Sequence, residues 1–268
     1  MAKYEAGFIG AGSMGGALAQ AAVKAVGGER VAVTCSTPEH SAETAARLGC
    51  AAETAENILK ESRFVFLGVK PQMIAGVAKK LAGDIAGSDA IFVSMLAGTS
   101  LDRLAELLGG DKKIIRIMPN TPCAVGKGLM LVSANSRVTA AELADFKTLM
   151  AFSGLLDDLP EHLIDAASAV SGCGPAYAYM FVEALADGAV KCGVPRAKAV
   201  RYAAQMLLGS AELVLESGEH PGALKDAVCS PGGTTIQGVR TLEKNGFRSA
   251  AMEAVIAAYE KTMEMQKK

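Results

Sequence analysis

A six-residue pattern near the start of the chain restricts its fold more than any other feature. Ala6-Gly7-Phe8-Ile9 reads as a buried strand, and Gly10-Ala11-Gly12-Ser13-Met14-Gly15 follows it directly. Met14, Leu18, Ala21, Ala22 and Ala25 then recur at helical spacing. A GxGxxG between a strand and a helix suits a dinucleotide pyrophosphate. Gly10 allows the tight turn, Gly12 lets an anion approach the backbone, and Gly15 lets the helix pack close to the strand. The N–H groups of the first helical turn, around Ser13 and Met14, point at the anion. Taken alone, the pattern also fits a glycine-rich turn without a ligand.

The chain continues this alternation. Val31–Thr34, Phe64–Val69, Ala90–Ser94, Lys113–Ile117 and Leu129–Val132 read as further strands with helical patterns between them. Strands separated by helices imply parallel pairing and right-handed crossovers. The expected class is α/β: a Rossmann-type, mostly parallel sheet with helices on both faces over residues 1–160. After Pro160 the strand-like runs stop, and residues 161–268 are expected to form an all-α domain for substrate binding and dimerisation. Helices are expected over Ala176–Val190, from Pro195 towards Leu215, over Thr234–Glu243 and over Arg248–Met265. The first is apolar almost all round, interrupted by Glu183 and Asp187. Such a helix must be covered on several sides, which an intertwined dimer achieves and a lone small domain does not.

Composition narrows the function. With 268 residues, 50% hydrophobic and 21% charged, the chain suits one or two globular domains. A net charge of −1 gives no electrostatic reason to expect nucleic acid or an anionic membrane as partner. Met1 to Glu5 lacks a signal-peptide pattern. The uncharged stretch Ala166–Val182 contains Gly172, Gly174 and Pro175, and reads as a buried loop and helix start. Cysteines 35, 50, 123, 173, 192 and 229 form no CxxC, which suits reduced thiols in a cytoplasmic protein without a metal site. The histidines are His40, His162 and His220, so a His base must be one of these.

The end of the second strand bears on cofactor choice. An NAD site usually places an acid there for the ribose 2′-hydroxyl. Here Thr34-Cys35-Ser36-Thr37 has no carboxylate before Glu39, which favours NADPH, with NADH as the alternative. Ser36 and Thr37 are candidates to donate to a 2′-phosphate; capping of a helix at Pro38 is the other reading. Val69-Lys70-Pro71 and Met118-Pro119-Asn120-Thr121-Pro122 end two later strands, at the edge where open sheets bind ligands. The prolines suit the second loop to a rigid wall against a nicotinamide ring. Asn120 is a candidate partner for the carboxamide or for a backbone group.

Late in the chain, Ser230-Pro231-Gly232-Gly233-Thr234-Thr235-Ile236 places two hydroxyl residues after two glycines at a helix start. That pattern is an anion cradle, with Ser230, Gly233 and Thr234 as candidate carboxylate holders. A capped helix with a glycine loop is the plainer reading.

Several stretches together resemble the pyrroline-5-carboxylate reductase family. They are GAGSMGGAL near the N-terminus, VKPQ at 69–72, MPNTP at 118–122, SGCGPAY at 171–177, His220-Pro221, and the run Leu224 to Ile236. Cys173 and Cys229 stand where the family often has Ser. The resemblance implies reduction of 1-pyrroline-5-carboxylate to L-proline by NADPH or NADH. It implies that the Ser230–Thr235 loop receives the carboxylate and that Thr235 directs its hydroxyl at the ring nitrogen. It also implies pairing through the helical domain, with larger rings of dimers common in the family. A cyclic imine is already basic and its iminium form accepts hydride, so positioning supplies most of the catalysis. Two rivals remain at this level. A 3-hydroxyacid dehydrogenase needs a base, with Lys191, Lys198 and Lys225 as candidates, although Asp187 and Lys191 have the spacing of an ordinary helix pair. A non-catalytic NADP sensor would bind the cofactor without turnover. His220 reads as a capping or surface histidine, and Asp226 either supports the loop or is an exposed helix carboxylate.

Overall fold

Alternating apolar residues bury both faces of the central strands, and this builds the sheet. The computed structural model describes residues 2–266. Its first unit opens with β1 (Tyr4–Ile9), α1 (Ser13–Val26), β2 (Val31–Thr34), α2 (Pro38–Leu48), β3 (Ala51–Ala52), α3 (Ala55–Glu61) and β4 (Ser62–Leu67). Next come α4 (Ile74–Lys80), α5 (Ala82–Ala86), β5 (Ile91–Ser94), α6 (Leu101–Leu108) and β6 (Ile114–Met118). It continues through β7 (Gly128–Ala134), α7 (Ala140–Met150), β8 (Gly154–Asp158) and α8 (Glu161–Ser171). The strands form one sheet in the order β3-β2-β1-β4-β5-β6-β7-β8. Pairing is parallel from β3 to β6; β7 runs antiparallel to β6, and β8 runs parallel to β7.

Ala6, Phe8, Phe64, Phe66, Ile91 and Val93 turn to one face, where α1 and α7 add Leu18, Ala22, Phe146 and Met150. Val65, Leu67, Phe92 and Ile114 turn to the other, under Ile58, Ile74, Leu104 and Leu108 from α3, α4 and α6. Phe8 and Phe66 stack across neighbouring strands with centroids 4.2 Å apart, a cross-strand pair worth up to about 1 kcal/mol. The expected α/β class with a mostly parallel sheet is therefore the observed one. β8 was not expected: its sequence, Gly-Leu-Leu-Asp-Asp, is short and half-exposed and carries little strand signal.

α8 belongs with the sheet, because the first compact unit runs to Cys173 and also takes in the last helix from Ala258 onward. Arg116 explains this. It lies between Ile115 and Ile117 on β6 and is 1% exposed. Its Nη2 donates to Asp165 Oδ1 at 2.6 Å and its Nη1 to Glu161 Oε1 at 3.2 Å. The same Glu161 oxygen accepts from Leu101 N at 2.6 Å, at the start of α6. Ile164 adds an apolar seat against Met118 and Leu131. Ala166–Ser171 is thus helical, a correction to the expected buried loop, and the break falls at the exposed Gly172 and Cys173. Removing one member of a buried ion pair leaves charge uncompensated. Arg116→Met should cost about 3 kcal/mol in a urea melt, near the low end for such sites because Glu161 retains some solvent. A change below about 0.5 kcal/mol, the scale of a surface substitution, would contradict this account of α8.

The second unit, Gly174–Ala257, is helical. It comprises α9 (Gly174–Lys191), α10 (Arg196–Ser217), α11 (Pro221–Ala227), α12 (Thr234–Lys244) and most of α13 (Phe247–Gln266). α9, α10, α12 and α13 match the four expected helices within a few residues, and α11 is a further short helix. Tyr177 donates from its hydroxyl to Ala254 O at 3.1 Å, and Phe181 packs on Phe247. In the single chain the buried residues of α9 and α10 are Ala186, Ala199 and Ala203. Tyr179, Met180, Tyr202, Leu215 and Met252 stand more than half exposed. Apolar surface on this scale marks an interaction face. Met1, Lys267 and Lys268, at the expected domain limits, lie outside the described residues. Among the described residues no helix is long and apolar enough to cross a membrane.

Candidate functional site

Strand order reverses at β1, whose neighbours are β2 and β4. Open α/β sheets bind ligands at the carboxyl ends of strands at such a point. Here the two strand ends touch. Gly10 N donates to Thr34 O and Gly68 N to Ile9 O, both at 2.9 Å. Gly10 has φ +99°, and a Cβ on it would lie 2.6 Å from Gly68 O. A Cβ on Gly68 would lie 2.1 Å from Gly10 O, and one on Gly15 would lie 2.3 Å from it. These three glycines are demanded by the fold itself.

Gly12 is different. A Cβ there would meet nothing within 4 Å. It is the N-cap of α1, with no side-chain cap and no acid in the first turn. The first helical N–H groups thus face open space, with Ser13 exposed and Met14 half-buried. That space and those donors could hold a pyrophosphate.

A cavity of about 810 Å³ adjoins this turn and is lined by Gly10, Ser36, Thr37, Val69 and Lys70, among others. Thr37 caps α2, its Oγ1 accepting from His40 N at 3.2 Å. The capping reading therefore holds for Thr37, and its hydroxyl proton stays available for another acceptor. Ser36 is exposed. Pro71 opens a short 3₁₀ turn after Lys70. Glu53, which sequence reasoning overlooked, also lines the cavity. Its carboxylate is held below the usual range, first by the Asn57 amide and then by the Tyr4 hydroxyl, and those bonds occupy both of its oxygens.

Asn120 sits at the end of β6, half-buried. Its Nδ2 donates to Ser171 O at 2.9 Å and its Oδ1 accepts from Leu129 N at 3.0 Å. This bears out the backbone option and narrows the carboxamide one: the side chain braces the 118–122 loop.

In the helical unit, Gly232 has φ +67° and Gly233 caps α12 without a side-chain bond. Gly233 N donates to Ser230 O at 3.0 Å, closing the bend. Ser230, Thr234 and Thr235 are exposed, and the first turn of α12 carries no acid. His220 caps α11, its Nδ1 accepting from Gly222 N at 3.0 Å. Asp226 is an exposed carboxylate paired with Lys225. Asp187 pairs with Arg196 rather than with Lys191, because the turn after α9 brings the start of α10 back beside it. Among the described residues no three His, Cys, Asp or Glu gather as a metal-ligand set.

Comparison with known proteins places this geometry. Residues 161–265 match the family model for pyrroline-5-carboxylate reductase dimerisation, and residues 5–98 match that for coenzyme F420-dependent NADP oxidoreductase. Pyrroline-5-carboxylate reductase of Escherichia coli (strain K12) is 43% identical, covering 97% of this chain and 98% of that protein. The chain belongs to the pyrroline-5-carboxylate reductase family. The Synechocystis member is 48% identical over 77% of this chain and 76% of its own length. A crystal structure of the Plasmodium falciparum pyrroline carboxylate reductase with NADP bound has a TM-score of 0.88 and 32% identity, with 99% of each chain covered. The match to a dimerisation model makes the helical segment a self-association module, which accounts for its exposed apolar residues.

Proposed function

We propose that this chain reduces 1-pyrroline-5-carboxylate to L-proline with NADPH, the last step of proline biosynthesis. The observation that carries this reading is likeness to a pyrroline-5-carboxylate reductase along nearly the whole chain. Residues 1–160 hold the dinucleotide, and residues 161–268 bind substrate and pair with a second copy. When bound, the cofactor supplies a hydride to the imine carbon. The first turn of α1, from Gly12 through Ser13, Met14 and Gly15, holds the pyrophosphate. Ser36 and Thr37 receive the 2′-phosphate, while Val69, Lys70 and Pro71 wall the cavity. The 118–122 loop, braced by Asn120, supports the nicotinamide.

Ser230, Gly233, Thr234 and Thr235 hold the substrate carboxylate. Two features support this: the open first turn of α12 and the absence of acids from it. Thr235 is the catalytic residue, its hydroxyl directed at the ring nitrogen to stabilise or protonate the developing amine. The iminium needs no strong protein acid, which suits a chain whose His220 is committed to a cap. The helical segments form an intertwined homodimer, and dimers assemble into a ring. The six free cysteines suit the reducing cytoplasm.

The test is a spectrophotometric assay with 1-pyrroline-5-carboxylate, run separately with NADPH and NADH. We expect cofactor oxidation with L-proline as product, faster at low cofactor concentration with NADPH. Binding of NADPH without turnover of the imine would overturn the enzymatic reading.

A further inference from the structure

A second cavity, of about 490 Å³, opens on the other flank of the phosphate-binding turn. It is lined by Gly12, Ser13, Gly16 and Gln20 from the α1 side and by His40 and Arg47 from α2. His40 lies in the first turn of α2, and Arg47 is two turns further along. Arg47 reaches across to α1: a Cβ on Gly16 would lie 3.5 Å from its Nη2. Among the described residues, neither side chain has an ion pair or a side-chain hydrogen bond. Glu39 and Glu43, the acids of α2, are not among the lining residues, and no lining residue is acidic.

The Arg47 guanidinium, the His40 imidazole and an uncapped helix N-terminus therefore line one space with no acidic residue in its walls. A single anion is already placed there, the pyrophosphate at Gly12. NADPH differs from NADH by one further anion, on the ribose hydroxyl near the end of β2. His40 follows that strand end closely, and its main chain is already bonded to the Thr37 hydroxyl. We infer that His40 and Arg47 are the specificity-determining residues for NADPH, forming the positive side of the pocket for the 2′-phosphomonoester. His40 donates to the phosphate directly, and Arg47 supplies permanent charge behind it. This rests on the nicotinamide-cofactor reading above. Ser36 and Thr37, which line the first cavity, supply only neutral donors, and Arg47 supplies the charge from the second.

The test measures binding of NADPH and NADH by nicotinamide fluorescence, with 2′,5′-ADP and 5′-AMP as competing probes. The proteins are the wild type, His40→Ala, Arg47→Met, Arg47→Lys and the His40→Ala/Arg47→Met double variant. Each neutral substitution should weaken NADPH and 2′,5′-ADP about tenfold, and the double variant more. NADH and 5′-AMP should change less than about twofold, and Arg47→Lys should keep most of the preference. Equal weakening of both cofactors would assign the pair to the pyrophosphate and overturn the inference, as would unchanged NADPH affinity. Failure of the wild type to bind either cofactor would instead sink the underlying functional reading. Both side chains are exposed, so circular dichroism should show all variants folded.

Discussion

Gly12→Val should abolish NADPH binding while leaving the protein folded. The position is unusual among the glycines of the turn. A Cβ at Gly10, Gly15 or Gly68 would strike main-chain oxygen within 2.6 Å, whereas one at Gly12 meets nothing within 4 Å. The protein itself therefore leaves room for a branched side chain. That side chain would occupy the space in front of the α1 N-terminus, where the pyrophosphate must come within hydrogen-bond range of main-chain N–H groups. Each charge-assisted hydrogen bond contributes roughly 1.5–3 kcal/mol. Losing two of them lowers affinity about 10²–10⁴-fold. The cost to stability is that of a poorer N-cap, about 1 kcal/mol. A fluorescence titration and a thermal melt on one preparation separate the two effects. Wild-type affinity in the Gly12→Val protein would show that the α1 N-terminus is not the pyrophosphate site. Gly10→Ala offers the contrast: with φ +99° and a close carbonyl, it should lose stability and binding together.

Thr235→Val should lower turnover roughly 10²–10⁴-fold, the usual weight of a positioned proton donor. NADPH affinity should stay within about twofold, because a uniform loss of binding is not what removal of a transition-state contact produces. Thr235 stands in the first turn of α12, exposed, and among the described residues its hydroxyl has no hydrogen-bond partner. Valine keeps the shape and removes only the hydroxyl. Thr235→Ser should restore most of the rate, since it returns the donor without the methyl group. If turnover and cofactor affinity fall in step, Thr235 does not serve the imine. If turnover is unchanged, the donor lies elsewhere.

Local features were legible in the sequence because their causes are local. The strand before Gly10, the helix after it, the cap at Thr37 before Pro38 and the start of α12 at Thr234 each follow from periodicity or sterics within a few residues. So does the bend at Gly232, whose positive φ favours glycine. The family resemblance rested on the same short stretches. Other decisions needed the folded chain. Arg116 reads as one charged residue in an apolar strand, yet it draws α8 onto the sheet through carboxylates 45 and 49 residues away. Asn120 had open options until Ser171 and Leu129 took both ends of its amide. Gly68 acquires its meaning only from Gly10 lying against it, and β8 forms because β7 offers an edge. The meeting of His40 and Arg47 with Gly12 is of this kind too. No period or motif encodes contacts at such separations. They arise where buried charge and main-chain polar groups must find partners, and only packing decides which partners are within reach.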